Sequence, residues 1–440
     1  MKHFRILSLD GGGIKGTFTA AVAANLEKLT GKRLADHFDL ITGTSTGGII
    51  ALALGLGFPA QEILEFYLNR GPEIFPSTGT DRLVHRLRHA FRHKYSQEVL
   101  RGSLEGVFGD KKLGESKCRL VIPAYDCNAG RVQLFKTAHH TRFVQDHRLT
   151  ATEVAMATAA APTYFPAFAA PDGQTFLDGG VWANCPIVVG LLEAVFVLNN
   201  PPSGVDILSI GTTEVPFDVS KGKRFGGLLT WNRRLVTLLT QAQIDAALAQ
   251  AQIITGKRAK RIDAVTRPGR FAMDDASQID ALHGLGSCHA KEQVDDVAAR
   301  FLYAPAEAFV PHHSVFLKAD VSRGSHPTPA VARRRRRRSL GLARAGYPGQ
   351  SHMIANISAT GALLETDHEI PVGTLLDLDL ELETGMTAKV TAQVVRVQQP
   401  RWGSVSGVGV EFIDFRGDAR QSVEQYVEAE ALALATAMPN

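Results

Sequence analysis

Cysteine is scarce in this 440-residue chain. The four that occur, Cys118, Cys127, Cys185 and Cys288, lack the paired spacing of a zinc or iron–sulfur site. No metal is therefore expected, and reduced thiols in a cytoplasmic protein are the simplest expectation. Long apolar runs are also missing. None approaches the roughly 20 residues of a membrane-spanning helix. The opening Met1-Lys2-His3-Phe4-Arg5 passes straight into a strand-like run, with no secretory leader expected. Any contact with lipid would then be peripheral, at the inner membrane. The excess of one charge is small, a net +4, and gives no reason to expect a nucleic-acid partner. Oligomeric state is left open, a homo-oligomer included.

What is present is an ordinary globular composition, 45% hydrophobic and 21% charged. It suits two or three domains of about 100–200 residues each. Residues 4–9 read as a buried strand, followed by a Gly-rich turn and a helix from about Thr17 to Leu29. Phe38–Thr42 reads as a second strand. A second Gly-rich turn then opens an apolar helix, Gly48–Leu56. Strand, turn and helix in repetition predict a parallel α/β sheet covered by helices. Further strands are expected at Arg119–Tyr125, Val132–Lys136 and Val205–Ser209, and helix over 229–262. From Pro311 to Ala332 the periodicity is lost, as in a linker. Beyond it, short alternating runs at 353–357, 375–382, 388–397 and 408–412 predict an all-β domain, with a closing helix near 419–437.

The first glycine turn, Gly11-Gly12-Gly13-Ile14-Lys15-Gly16, fits G-x-G-x-x-G between a strand and a helix. That is a dinucleotide fingerprint, with Asp36 near the spacing for a ribose contact. It is equally a row of backbone amides suited to an oxyanion, or a tight structural turn. By itself it leaves all three open.

The second turn narrows the choice. Gly43-Thr44-Ser45-Thr46-Gly47 is G-x-S-x-G between a strand and an apolar helix, the setting of a nucleophile elbow. Ser45 would stand at a helix N-terminus, where developing negative charge is favoured, and the Thr46 N–H could help hold it. A dinucleotide site has no use for an exposed serine there. Serine needs a base. His283, His289, His312 and His313 qualify by chain order, but none lies in a convincing strand-end loop. Asp178, in Phe176-Leu177-Asp178-Gly179-Gly180, is the stronger candidate, although an Asp can also simply stabilise its own turn.

Together these segments resemble the patatin-like phospholipases. That family carries D-G-G-G-x-(K/R)-G, here Asp10–Gly16, and G-x-S-x-G, here Gly43–Gly47. It also carries an Ala-rich block ending A-P-T-Y-F-P, here Ala161–Pro166. D-G-G/A followed by N-x-P corresponds to Asp178-Gly179-Gly180 with Asn184-Cys185-Pro186, and the 208–212 strand end matches too. The resemblance covers about residues 4–215, with helical elaboration to about 311. It implies a three-layer α/β hydrolase sheet and a Ser–Asp dyad without a catalytic His. Ser45 would attack the ester, Asp178 would take its proton, and the amides of Gly11, Gly12 and Gly13 would hold the oxyanion. No cofactor is implied for catalysis, and the implied substrates are phospholipids or other lipid esters. Cys185 departs from the Asn of many relatives, outside the dyad. Residues 82–94, densely basic with Leu83, Leu87 and Phe91 at helical spacing, suit either a membrane surface or a solvated helix face.

The C-terminal part begins with six arginines, 333–338, and continues to Asn356-Ile357-Ser358-Ala359-Thr360-Gly361. This resembles the PilZ family over about residues 333–415. The R-x-x-x-R and (D/N)-x-S-x-x-G motifs of that family bind cyclic di-GMP. The resemblance implies a β-barrel in which Arg334 and Arg338 grip phosphate and guanine. Asn356 and Ser358 would add polar contacts, and Gly361 would allow close approach. Arg333 with Arg337 is the other register, and a PilZ domain making only protein contacts is the alternative role. The organisation expected is a hydrolase at 1–311, a linker at 312–332 and a PilZ-like barrel with a closing helix at 333–440. The function expected is a bacterial lipid acyl hydrolase with cyclic di-GMP as allosteric ligand. The alternatives are a cyclic-dinucleotide-binding signalling protein using the hydrolase domain as scaffold, and, less compatible with the serine elbow, a dinucleotide-binding oxidoreductase.

Overall fold

The computed structural model describes residues 3–76, 94–214, 228–267, 269–313, 342–345, 351–358, 361–365, 370–371, 373–381, 387–398 and 407–425. The basic segment up to residue 93, the arginine run 333–338 and most of the expected linker lie outside them. The chain divides into two compact units, Met1–Val321 and Ser322–Asn440.

The first unit is built on an eight-stranded sheet. Its strands are β1 (Phe4–Leu9), β2 (Leu40–Gly43), β3 (Arg119–Asp126), β4 (Arg131–Lys136), β5 (Phe168–Ala169), β6 (Thr175–Asp178), β7 (Val205–Ile210) and β8 (Ala259–Ile262). The order is β5-β6-β3-β2-β1-β7-β8, with β4 also on β3. The strands β3, β2, β1, β7 and β8 run parallel, while β4, β5 and β6 pair antiparallel. In β1, Ile6 packs into one apolar cluster and its neighbours Leu7 and Leu9 into another; Leu40 and Ile41, and Ile207 and Leu208, divide in the same way. Successive side chains of a strand point to opposite faces, so both faces of this sheet are buried.

One face is covered by α1 (Gly16–Thr30), α2 (Thr46–Gly55), α3 (Ala60–Ile74), α4 (Gln97–Phe108) and α5 (Ala151–Thr158). The opposite face carries α6 (Gly180–Ala183), α7 (Ile187–Leu192) and α8 (Leu228–Thr255), and α9 (Ile279–Phe301) returns to pack on α1. The three-layer α/β hydrolase sheet is therefore present. Leu9 is in register with both Gly43 and Ile210. That register brings the loops after β1, β2 and β7 to one edge, at the carboxyl ends of parallel strands, where open α/β sheets build their sites.

One expectation is corrected. The helix predicted over 229–262 ends at Thr255, and residues 259–262 form β8. Gly256 and Lys257 both take left-handed backbone angles, φ 64° and 68°. Two such residues in succession reverse the chain and deliver it to the edge of β7.

The second unit is a closed barrel in the order β10-β11-β14-β13-β12-β9. Its strands are β9 (Leu342–Ala345), β10 (Ser351–Ser358), β11 (Gly361–Glu365), β12 (Leu375–Glu381), β13 (Thr387–Gln398) and β14 (Gly407–Phe415). Inward residues such as Leu364, Leu378, Val390, Val394 and Val410 fill it, and closure removes free strand edges. Helical structure follows at 419–425, where Val423 joins that core.

Candidate active site

Ser45 caps α2 with φ 54° and ψ −121°, a conformation most side chains avoid. The glycines around it make the elbow sterically feasible. A Cβ on Gly43 would lie 2.1 Å from the Gly47 carbonyl oxygen, and one on Gly47 would lie 2.3 Å from that of Leu9. The strained backbone is held from outside. The Ser45 N–H donates to Thr158 Oγ1 at 3.0 Å, and the Thr158 hydroxyl donates to the Pro123 carbonyl at 2.6 Å. The Thr44 hydroxyl donates to the Ala183 carbonyl at 2.6 Å, tying the elbow to the short helix α6 that follows β6.

Asp178 ends β6, whose antiparallel pairing sets it opposite Ala124 of β3. Its own N–H donates to the Ala160 carbonyl, and the Gly180 N–H donates to its Oδ1 at 2.6 Å. Asp178 lies close enough to Ser45 for the serine hydroxyl to favour its charged form. Burial pushes the Asp178 carboxyl up to about 6, against the lowering influence of the Ser45 hydroxyl and the Gly180 N–H. A carboxylate with its pKa near neutrality can both accept and return a proton at physiological pH.

The glycine turn lies beside Ser45: a Cβ on Gly11 would be 3.4 Å from that of Ser45. Its amides are not equivalent. Gly11 N–H donates to the Asn184 carbonyl at 3.0 Å and is withdrawn from the expected oxyanion set. Its carbonyl accepts from the Thr212 hydroxyl at 2.9 Å and from Asn184 Nδ2 at 3.3 Å, so both polar groups of Gly11 serve to fix the turn. The N–H groups of Gly12, Gly13 and Thr46 meet no acceptor among the described residues. Gly12 packs on Thr212, where a Cβ would lie 2.3 Å from Oγ1. Gly13 has φ 59°, and a Cβ there would lie 2.2 Å from the Met273 carbonyl oxygen. Neither position accepts a side chain without local movement.

A pocket of about 540 Å³, counting its open mouth, reaches Ser45, Thr46 and Gly13. Its wall is apolar and aromatic, with Phe66, Tyr67, Phe75 and Phe165 prominent. Phe75, Tyr95 and Phe165 pack mutually within 6.0 Å between ring centroids. Such a lining accepts a hydrocarbon chain and offers it no polar partner. Among the described residues, no histidine lines this pocket. His289 lies on α9 beside Glu292, and His313 Nε2 meets the Thr141 carbonyl. Asp36 precedes β2 and so lies at the opposite edge of the sheet from the glycine turn, which removes the ribose contact from the dinucleotide reading.

Thr158, Asn184 and Thr212 were not among the expected site residues. Asn184 and Thr212 fall inside recognised motifs. Thr158 sits in the Ala-rich stretch, and nothing in its local pattern marks it.

In the second unit, Asn356 and Ser358 lie on β10 and Gly361 opens β11, with Ser358 in register with Gly361 and Asn356 with Leu363. A Cβ on Gly361 would lie 2.3 Å from the Val410 carbonyl oxygen. The three residues share one hairpin, while Arg334 and Arg338 lie outside the described residues.

The patatin-like phospholipase family model matches residues 7–191 and the PilZ domain model residues 309–429. Among curated proteins, a cGAMP-activated phospholipase of Pseudomonas aeruginosa is 38% identical over 253 residues, which is 56% of this chain and 75% of that protein. A protein of the same name from Vibrio cholerae is 35% identical, over 53% of this chain and 72% of that one. Patatin-like protein 1 of Arabidopsis thaliana is 33% identical, over 51% of this chain and 63% of its own.

Proposed function

This chain belongs to the patatin-like phospholipase family and carries a PilZ domain, and from that premise we propose that it is a phospholipase A-like enzyme working through a Ser45–Asp178 dyad and governed by cyclic di-GMP. The observation that carries the proposal is a buried carboxyl, raised to about 6 and under the influence of the Ser45 hydroxyl, on a segment that Thr158 ties to the serine elbow.

Ser45 Oγ attacks the ester carbonyl carbon as Asp178 takes its proton. The carbonyl oxygen becomes an oxyanion facing the N–H groups of Gly12, Gly13 and Thr46 at the start of α2. Backbone donors already in place stabilise that charge without reorganising. Collapse breaks the bond to the lysolipid alcohol, which leaves with the proton from Asp178, and Ser45 remains acylated. Water then attacks the acyl-enzyme. Asp178 takes its proton and returns it to Ser45 Oγ as the fatty acid departs. The apolar pocket holds the acyl chain throughout, and excluding water from that chain supplies binding energy of about 0.8 kcal/mol per buried methylene.

Regulation is assigned to the barrel, through Asn356, Ser358 and Gly361 on one hairpin together with Arg334 and Arg338. The relatives are named for cGAMP rather than cyclic di-GMP, so both nucleotides belong in the test. The expected action at membranes is peripheral; among the described residues no helix is long and apolar enough to cross a bilayer. The deciding experiment follows fatty-acid release from phospholipid vesicles by wild type and Ser45→Ala, with cyclic di-GMP, with cGAMP and with neither. Release by Ser45→Ala at the wild-type rate would remove the dyad. A wild-type rate indifferent to both nucleotides would remove the regulation.

A further inference from the structure

Asp10 opens the glycine turn and is buried, 1% exposed, yet it is paired from the edge strand two places along the sheet. Arg261 of β8 donates from Nη2 to Asp10 Oδ2 at 2.6 Å and to Asp263 Oδ2 at 2.7 Å, and from Nη1 to Ser209 Oγ at 2.7 Å. Asp263 in turn accepts the Thr213 N–H at 2.9 Å, and Lys15 of the glycine turn donates to the Thr213 carbonyl at 3.0 Å. Thr212, between these contacts, holds the Gly11 carbonyl. One guanidinium thus links the glycine turn to the 211–213 loop that packs against it. Gly211 leaves the room required, since a Cβ there would lie 1.9 Å from Asp263 Oδ2.

We propose that Arg261 is a positioning residue for acyl transfer, its bridge between Asp10 and Asp263 holding the Gly12 and Gly13 amides on the oxyanion. The proposal rests on reading those amides as oxyanion donors. The charged groups facing Asp10 are Arg261, Asp263 and Lys15, with the Cys185 thiol nearby. Burial drives the Asp10 carboxyl upward, and Arg261 is the main influence drawing it back. Without the guanidinium, a buried carboxylate would lose its principal partner, and the turn could relax to hydrate or protonate it. A second group of cations, Lys257, Arg258 and Arg300 around Asp206, calls for no ligand. Lys257 and Arg258 follow the C-terminal end of α8 and Arg300 lies in the last turn of α9, where positive charge offsets the helix dipole.

The test is steady-state hydrolysis of a soluble p-nitrophenyl ester by the full chain, with melting curves. The variants are Arg261→Met, Arg261→Lys, Asp10→Asn, Arg261→Met/Asp10→Asn and a core control, Leu26→Ala. Arg261→Met is expected to lower kcat about 100-fold, the scale of losing one oxyanion donor, with KM little changed. Arg261→Lys should recover part of the loss. Adding Asp10→Asn to Arg261→Met should cost little more, because the pair acts as a unit. Leu26→Ala should lower the melting temperature while keeping kcat. The proposal is overturned if Arg261→Met melts cooperatively and keeps the wild-type kcat, if the Arg261 and Asp10 effects simply multiply, or if Leu26→Ala loses kcat in the same proportion. If Arg261→Met does not fold, Arg261→Lys and the double variant carry the same comparison. A Ser45→Ala variant that remained active would sink the underlying dyad, a result distinct from any of these.

Discussion

Thr158 receives the backbone N–H of Ser45 on its hydroxyl oxygen at 3.0 Å and passes its own proton to the Pro123 carbonyl at 2.6 Å. Its carbonyl meanwhile accepts the Gly179 N–H at 3.3 Å, directly after Asp178. A fully buried threonine at the end of α5 therefore touches both chain segments that carry the proposed dyad.

Thr158→Val keeps the shape and deletes the hydroxyl. It leaves the Ser45 N–H and the Pro123 carbonyl without that partner in a buried place, at an expected cost of about 1–3 kcal/mol in stability. Because the elbow loses its outside support, kcat should fall as well. Thr158→Ser should retain most of both. Urea melts and ester hydrolysis measured on the same samples check the pair of effects.

Asp178 gives a pH dependence with a definite sign. Its pKa in the folded protein is about 6, above the ordinary aspartate value of 3.8. The folded state thus holds the proton more tightly than the unfolded chain. The stability this contributes is fully present below about 4 and is lost as pH rises through about 6. The ionised form is the base, so kcat should rise through the same interval. Asp178→Asn should abolish hydrolysis and should gain melting temperature relative to wild type between pH 4 and 8. A wild-type acid limb centred near 4 would contradict the burial argument.

The barrel offers a separable prediction. Arg338→Ala and Asn356→Ala should each weaken cyclic di-GMP binding at least tenfold, since each removes contacts to a charged ligand worth about 1.5–3 kcal/mol. Hydrolysis without nucleotide should be unchanged. Calorimetry of the full chain reads the first effect and fatty-acid release the second. Undiminished binding by Arg334→Ala and Arg338→Ala together would point to the Arg333 and Arg337 register.

For membranes the prediction rests on sequence alone. Reversing charge at Arg86, Arg88 and Arg92 should weaken binding to anionic liposomes, with each cation near the surface worth about 1 kcal/mol. Turnover of a soluble ester should be spared. Vesicle sedimentation at two salt concentrations separates this from a packing defect, because an electrostatic attachment weakens as salt rises.

The sequence by itself determined the elements whose cause is local. A sharp turn needs small residues at fixed offsets, so Gly43-Thr44-Ser45-Thr46-Gly47 announced the elbow, and Gly43 and Gly47 prove to be the positions that touch backbone. The change from strand-and-helix repeats to short alternating runs announced the second unit for the same reason, since periodicity is written residue by residue. Tertiary structure decided the rest, because it depends on which strands become neighbours. Gly11 was indistinguishable from Gly12 and Gly13 until Asn184 took its amide. Arg261 could not be matched to Asp10 while its segment read as helix, and the two residues are 251 positions apart in the chain. A local pattern fixes dihedral preferences and the side of burial; a hydrogen bond across such a separation is fixed only when the sheet closes its order.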